Sequence, residues 1–157
     1  VVINKKCQKP DFKHICNEGI IHRLPKVNHP VYYGGPILTN VVGVLHSTDF
    51  ILTSTNTLTE DKVGFTLDRK MLEVIARGQG PKNKLITLGM ANWTTGQLEE
   101  ELEHPRNPAM SWLIMDYDEK FVFGQLDEDK PDDLWESCVS QAIRNKTKEI
   151  TGKIFKS

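Results

Sequence analysis

The stretch Leu85 to Leu102, LITLGMANWTTGQLEEEL, constrains this chain more than any other. Leu85, Ile86 and Leu88 form a short apolar run closed by Gly89, the pattern of a buried strand meeting a turn. Thr94 stands three residues before Gln97, the capping-box spacing, in which each side chain can satisfy an orphan backbone N–H near the other. Trp93 before that cap and Leu98 after it have hydrophobic-staple spacing, which fixes the angle at which the chain enters a helix. Leu98 and Leu102 share one helical face, and Glu99, Glu100 and Glu101 fall where the helix dipole favours carboxylates. Pro105 cannot continue the helix. Strand, turn and helix therefore follow one another within eighteen residues.

The remaining chain alternates in the same irregular way. Val1 to Asn4 reads as a strand and Asp11 to Asn17 as a short helix entered after Pro10. Ile20 to Pro30 is irregular. Val31 to Tyr33 extends into Gly34-Gly35-Pro36, a turn whose glycines reach backbone angles closed to other residues. Val41 to His46 and Phe50 to Thr53 read as paired strands, Thr55 to Lys62 as a polar loop and Val63 to Leu67 as a further strand. Asp68 is the N-cap of a helix through Arg77, with Met71, Leu72, Ile75 and Ala76 on one side and Gly78 closing it. Trp112 to Met115 and Phe121 to Gly124 read as strands joined by the acidic turn Asp116 to Lys120. Asp129 to Arg144 is the last helix, followed by a basic, loosely held tail over 146–157. Hairpin-like and crossover spacings both occur, which predicts a mixed sheet in an α/β or α+β domain.

Several ordered blocks resemble one family. LGMANWTTGQLEEEL is similar to the signature of the AlgH/YqgE family, small bacterial proteins catalogued as uncharacterised. Tyr32-Tyr33-Gly34-Gly35-Pro36, Val44-Leu45-His46-Ser47, Val2-Ile3-Asn4-Lys5, Trp112-Leu113 and Leu134-Trp135 fit its other blocks in order. The departures are Met90 where the family has tyrosine, Asn92 where it has glycine, and Met110 near a usual asparagine. The chain opens at Val1, whereas the family carries a longer leading segment. The resemblance implies an α+β fold in a single compact domain over 1–145, its bifurcated mixed sheet forming a pseudo-barrel flanked by helices.

At 157 residues one domain is the natural count. The chain is 38% hydrophobic and 26% charged with a formal net charge of -1, ordinary for a soluble globular protein. No apolar run approaches a membrane span, and three widely spaced cysteines suit a reducing cytoplasm better than a disulfide framework. Residues 1–40 lean basic, through Lys5, Lys6, Lys9, Lys13, Arg23 and Lys26. The stretch 98–133 is strongly acidic. Solvated faces account for both more economically than a charge-steered partner site does.

The chemistry-bearing residues give no legible reaction. Gly34-Gly35-Pro36 lacks the Lys-Ser or Lys-Thr of a phosphate loop, and Gly78-Gln79-Gly80 follows a helix rather than a strand, outside the dinucleotide-binding context. His46-Ser47 suggests a nucleophile with its base, but strand neighbours point to opposite faces and no nucleophile elbow surrounds the serine. His46 is better read as a buried, hydrogen-bonded histidine. Cys7, His14, Cys16 and His22 match no common zinc spacing, and Cys16 and Cys138 read as core thiols. The acidic run Asp127 to Asp133 lacks the glycine and the final glutamate of a calcium loop. The reading is thus no metal and no cofactor.

An isoelectric point near 6.6, no legible helix-turn-helix and the tail as the only basic run argue against direct DNA binding, although members of the resembled family carry the label of transcriptional regulator. Three functions remain in contention. The preferred one is a non-enzymatic cytoplasmic binding or regulatory domain, monomeric or homodimeric, for a protein or small-molecule partner. Its candidate surface comprises Tyr33, Gly34, Gly35, His46, Trp93, Gln97 and Glu100, because polar and aromatic signature residues gather at turns. The alternatives are a nucleic-acid-linked transcriptional regulator, and a hydrolase-like enzyme pairing His46 with an acid such as Glu100.

Overall fold

A computed structural model describes residues 1–17, 25–103, 112–124 and 134–144. The chain divides into two compact units, Val1–Ala91 and Asn92–Ser157. The fold is mixed α+β, with helices against a five-stranded mixed sheet.

The first unit carries the sheet. Its strands are β1 (Val31–Tyr33), β2 (Ile37–Ser47), β3 (Asn56–Leu58), β4 (Val63–Thr66) and β5 (Lys84–Met90), in the order β1-β5-β2-β4-β3. β1 runs parallel to β5, and the other pairings are antiparallel. The sheet is open, with β1 and β3 as its outer named strands. Val31, Ile86 and Val44 lie opposite one another across three strands. Helices α1 (Phe12–Ile15) and α2 (Arg69–Ala76) bring Phe12, Ile15, Met71, Leu72, Ile75 and Ala76 into one core with them. Burial of an apolar face explains why so short a helix as α1 persists, since isolated helices of that length do not.

Helix α2 is capped as its sequence dictates. The Asp68 side chain accepts from the Lys70 N–H at 2.9 Å. At the other end Gly78 has φ +74°, its N–H donates to the Ile75 carbonyl, and the Gln79 N–H donates to that of Val74. Those two bonds make a Schellman closure.

Several elements differ from the sequence expectation. Val1 to Asn4 is not a strand, although the Val2 N–H donates to the Gly34 carbonyl at 2.8 Å and Lys6 makes an isolated bridge to Tyr32. Phe50 to Thr53 is not a strand either: Leu52 and Thr55 close a turn through the Thr55 hydroxyl and backbone, while Phe50 and Leu52 still pack against the core. Apolar burial there needs no ladder. Within the expected polar loop 55–62, Asn56–Leu58 pairs with β4.

The β3–β4 connection holds Thr59, Glu60 and Asp61 at φ 55°, 53° and 63°, the left-handed region that costs an L-residue about 1–2 kcal/mol. The exposed Glu60–Lys62 ion pair at 3.3 Å offsets little of that. Replacing Glu60 by glycine is therefore expected to raise stability by about 0.5–1 kcal/mol, the relief of strain less the extra chain entropy of glycine. A urea titration followed by circular dichroism checks it, and a lowered midpoint would contradict the left-handed turn.

The second unit holds α3 (Gln97–Glu103), α4 (Glu119–Phe123) and a helical stretch over 134–144. Here too the expectation is corrected. Trp112 to Met115 forms no strand, and Phe121 to Phe123 belongs instead to α4, with Gly124 as its C-cap. The physical reason is a cap: the Asp118 carboxylate accepts from the Lys120 N–H at 2.8 Å, so the acidic turn starts a helix instead of joining two strands. The expectations at His22, Pro105, Met110, Asp127 to Asp133 and the tail 146–157 lie outside the described residues.

Candidate functional site

In the first unit, Tyr33, Gly34 and Gly35 come together at the end of β1. The Gly34 N–H donates to the Leu88 carbonyl at 2.7 Å, and the backbone there runs in contact with Gly89 and Met90. A Cβ on Gly34 would stand 2.2 Å from the Gly89 oxygen, and one on Gly35 2.2 Å from the Met90 carbonyl carbon. Gly35 and Gly89 also have φ +148° and +75°. These glycines form a seam between two backbones, and nothing larger fits.

Around that seam the surface is apolar. Tyr33 is 37% exposed, Ile37 46%, Leu38 52% and Val2 37%. Ile37 lies opposite Met90, and the β2 register slips between Ile37 and Val42, so that Leu38 to Asn40 stand exposed. The Lys5 ammonium lies 5.5 Å from the centre of the Tyr33 ring.

His46 is elsewhere. It pairs with Lys84 whereas Tyr33 pairs with Leu88, four residues along β5, or roughly 13 Å at about 3.3 Å per residue. It is completely buried. Its Nδ1 lies 2.9 Å from the Ser47 carbonyl oxygen, which only accepts, so Nδ1 carries the proton. Nε2 must then accept from the Thr66 hydroxyl at 2.9 Å. Thr66 in turn accepts from the Thr55 hydroxyl at 2.8 Å, and Thr55 accepts from the Leu52 N–H at 2.9 Å. Each proton in the chain has one direction. Gly64, opposite His46, leaves room for the imidazole: a Cβ there would lie 2.6 Å from Cε1. Burial pushes the imidazole pKa below its ordinary 6.5.

Ser47 points to the other side of β2. Its hydroxyl donates to Asp49 at 2.5 Å and accepts from the Asn83 N–H at 3.1 Å, while Asp49 also takes the Lys82 N–H. Serine and histidine thus serve two separate structural networks. With both ring nitrogens held by Ser47 and Thr66, His46 presents neither to an attacking group or a catalytic acid.

The sign of the pH effect follows. Folded His46 binds fewer protons than unfolded His46, so its contribution is complete above pH 6.5 and is lost as pH falls from there toward the depressed folded value. His29, also held down by burial, adds to the same slope. The urea midpoint should therefore fall between pH 7 and pH 5, above the carboxylate range, and His46→Gln should flatten that slope. Imidazole ¹⁵N spectra should show the Nδ1–H tautomer of His46; a titration near pH 6.5 would contradict the network.

In the second unit, Trp93 and Gln97 meet on Glu101. The Trp93 and Trp112 indole N–H groups donate to Glu101 Oε2 at 3.3 and 3.2 Å, and Gln97 Nε2 donates to Oε1 at 3.1 Å. The two indoles stack edge to face with centroids 5.8 Å apart. Gln97 Oε1 accepts from the Thr94 N–H and hydroxyl, both at 3.1 Å, so the Gln97 half of the capping box is formed. Glu100 sits exposed on the same helix.

Sequence reasoning missed Thr55, Gly64, Thr66, Glu101 and Trp112 as members of these networks. Only the Gln97–Glu101 spacing of four carried a signal. Cys7, Cys16 and Cys138 are free thiols, with burial raising each pKa. Among the described residues no group of three His, Cys, Asp or Glu could hold a metal ion, and no helix is long and apolar enough to cross a membrane.

The family model described as AlgH-like matches residues 1–145. The chain is similar to a UPF0301 protein from Bradyrhizobium sp. (strain BTAi1), 34% identical over 140 residues, covering 84% of this chain and 62% of the relative. It is also similar to one from Rickettsia akari, 38% identical over 112 residues, covering 70% and 53%. The chain thus spans less than two thirds of the length of these relatives. The solution structure of the AlgH protein from Pseudomonas aeruginosa is similar with a TM-score of 0.70 at 27% identity, covering 96% of this chain and 75% of the other.

Proposed function

The chain belongs to the AlgH-like family, and on that premise we propose that it is a cytoplasmic, non-enzymatic binding domain that recognises a protein partner. The observation that carries this reading is the apolar surface of Val2, Tyr33, Ile37 and Leu38 around the glycine seam. An exposed apolar group on a rigid backbone is costly to leave in water and ready to be covered, which is how interaction surfaces are built. The groups best suited to catalysis support the same conclusion from the other side. His46 and Ser47 spend their hydrogen-bonding capacity on the fold. The free, burial-raised thiols are in keeping with a reducing compartment.

Placing a photoreactive benzoyl-phenylalanine at position 38, with Leu58 on β3 as the exposed control position, tests the reading in cells. The expected result is a discrete protein adduct from position 38 that is absent from position 58 and lost with Tyr33→Ser. Equal adducts at both positions, or none, would overturn it. So would a native mass exceeding that of the bare chain by a few hundred daltons and lost on denaturation, which would assign a small ligand instead.

A further inference from the structure

Helix α3 in the second unit buries none of its residues. Gln97 and Glu101 form one stripe of its surface, with Leu98 and Leu102 on the adjoining one. Trp93 and Trp112 attach to that surface through Glu101, and Trp112 and Leu102 remain 46% and 37% exposed. Leu113 and Ile114, next along the chain, are 45% and 75% exposed. Three donors converge on the Glu101 carboxylate, so the indoles are already fixed in the orientation they would use. Large aromatic side chains held rigid before binding are the common anchors of protein interfaces, because little freedom is lost when they are covered.

The sequence that carries this face is predominantly acidic. Helix α3 carries Glu99, Glu100, Glu101 and Glu103 with no lysine or arginine, and Asp116, Asp118 and Glu119 follow the Trp112 to Ile114 segment. Over residues 92–136 there are 13 aspartates and glutamates against three lysines and arginines. Glu101 is engaged by the indoles and Gln97, while Glu99 and Glu103 stand exposed on the same helix and meet an incoming surface with negative charge.

We propose that the Trp93–Trp112 face of α3 docks a basic amphipathic segment of a partner protein. Its apolar residues cover Trp112 and Leu102, and its lysines or arginines lie along Glu99 and Glu103. The proposal does not rest on the surface around Tyr33. The acidic rim repels nucleic acid and acidic peptides, so charge selects the partner and speeds its approach, while the indoles supply the contact area.

The test uses a synthetic peptide of two Lys-Leu-Leu-Lys-Leu-Leu-Lys repeats, and its counterpart with glutamate at every lysine, titrated into the ¹⁵N-labelled full chain. The expected result is that the basic peptide shifts the indole N–H signals of Trp93 and Trp112 but not that of Trp135, with affinity weakening about tenfold between low and about 0.5 M salt. E99Q with E103Q, substitutions on an exposed helix face, should weaken binding about fivefold with the circular dichroism spectrum unchanged. Equal binding of the acidic peptide would reduce the face to a nonspecific apolar patch. Absence of indole shifts with either peptide would overturn the proposal. So would indole shifts that grow with protein concentration alone, which would assign the face to a second copy of this chain.

Discussion

Replacing Gly35 by alanine is expected to remove about 4 kcal/mol of stability, a large share of the roughly 5–15 kcal/mol that holds a domain folded. Two terms add. The φ of +148° belongs to a region essentially reserved for glycine, worth about 1–3 kcal/mol to any other residue. The new Cβ would also overlap the backbone of Met90 and Ala91 at 2.2–2.4 Å, and overpacking against groups that cannot rotate away costs about 1–3 kcal/mol more. Two companion variants separate the terms. Gly34→Ala has no positive φ but meets the Gly89 oxygen, so it reports the steric part. Gly78→Ala, at φ +74° with only the flexible Lys26 side chain nearby at 3.4 Å, reports the backbone part, about 1 kcal/mol. All three tryptophans lie beyond residue 91, so far-ultraviolet circular dichroism in urea is the measurement that reads this unit. A Gly35→Ala loss no larger than that of Gly78→Ala would show that the two backbones do not meet as described.

Phe12→Ala is expected to cost about 3–5 kcal/mol, the range for emptying a fully buried aromatic site. Phe12 is 0% exposed and packs with Ile15 into the core formed with α2 and the sheet. Helix α1 has four residues, one N-cap from Asp11 and no independent means of staying folded. The variant should therefore lose hydrogen-exchange protection over residues 12–16 as well as its urea midpoint. A loss below about 1 kcal/mol would mean that α1 is a surface ornament and not part of the core.

Side chains at the glycine seam can be changed to polar ones at little cost in stability, because Tyr33, Ile37 and Leu38 are already exposed. The His46–Thr66–Thr55 chain offers no such freedom. Removing the Thr66 hydroxyl strands the buried Nε2 acceptor of His46 and the half-buried Thr55 donor together. Surface and core can therefore be separated by mutation in the first unit.

What the sequence determined by itself lies within one helical turn or one strand. Asp68 and Gly78 marked both ends of α2, Thr94 and Gln97 marked the start of α3, and the apolar spacing of Met71, Leu72, Ile75 and Ala76 marked the buried face. The family blocks, spread along the chain, implied the mixed α+β fold before any strand was paired. The parity of β2 already placed His46 and Ser47 on opposite faces. Those signals are legible because capping, side-chain period and turn preference depend on residues no more than about four apart.

Tertiary structure decided what depends on distant partners. Leu52 and Thr55 met as a turn because Thr55 also had to reach Thr66. Nε2 of His46 finds its donor in a threonine twenty residues away, and the ring its seat on the missing side chain of Gly64. Trp112 joins Trp93 only because Glu101 can accept from both indoles. Contacts of that kind are chosen by the summed burial and hydrogen bonding of the assembled sheet and helices, weighed against the entropy of closing long loops, and no local spacing records that sum.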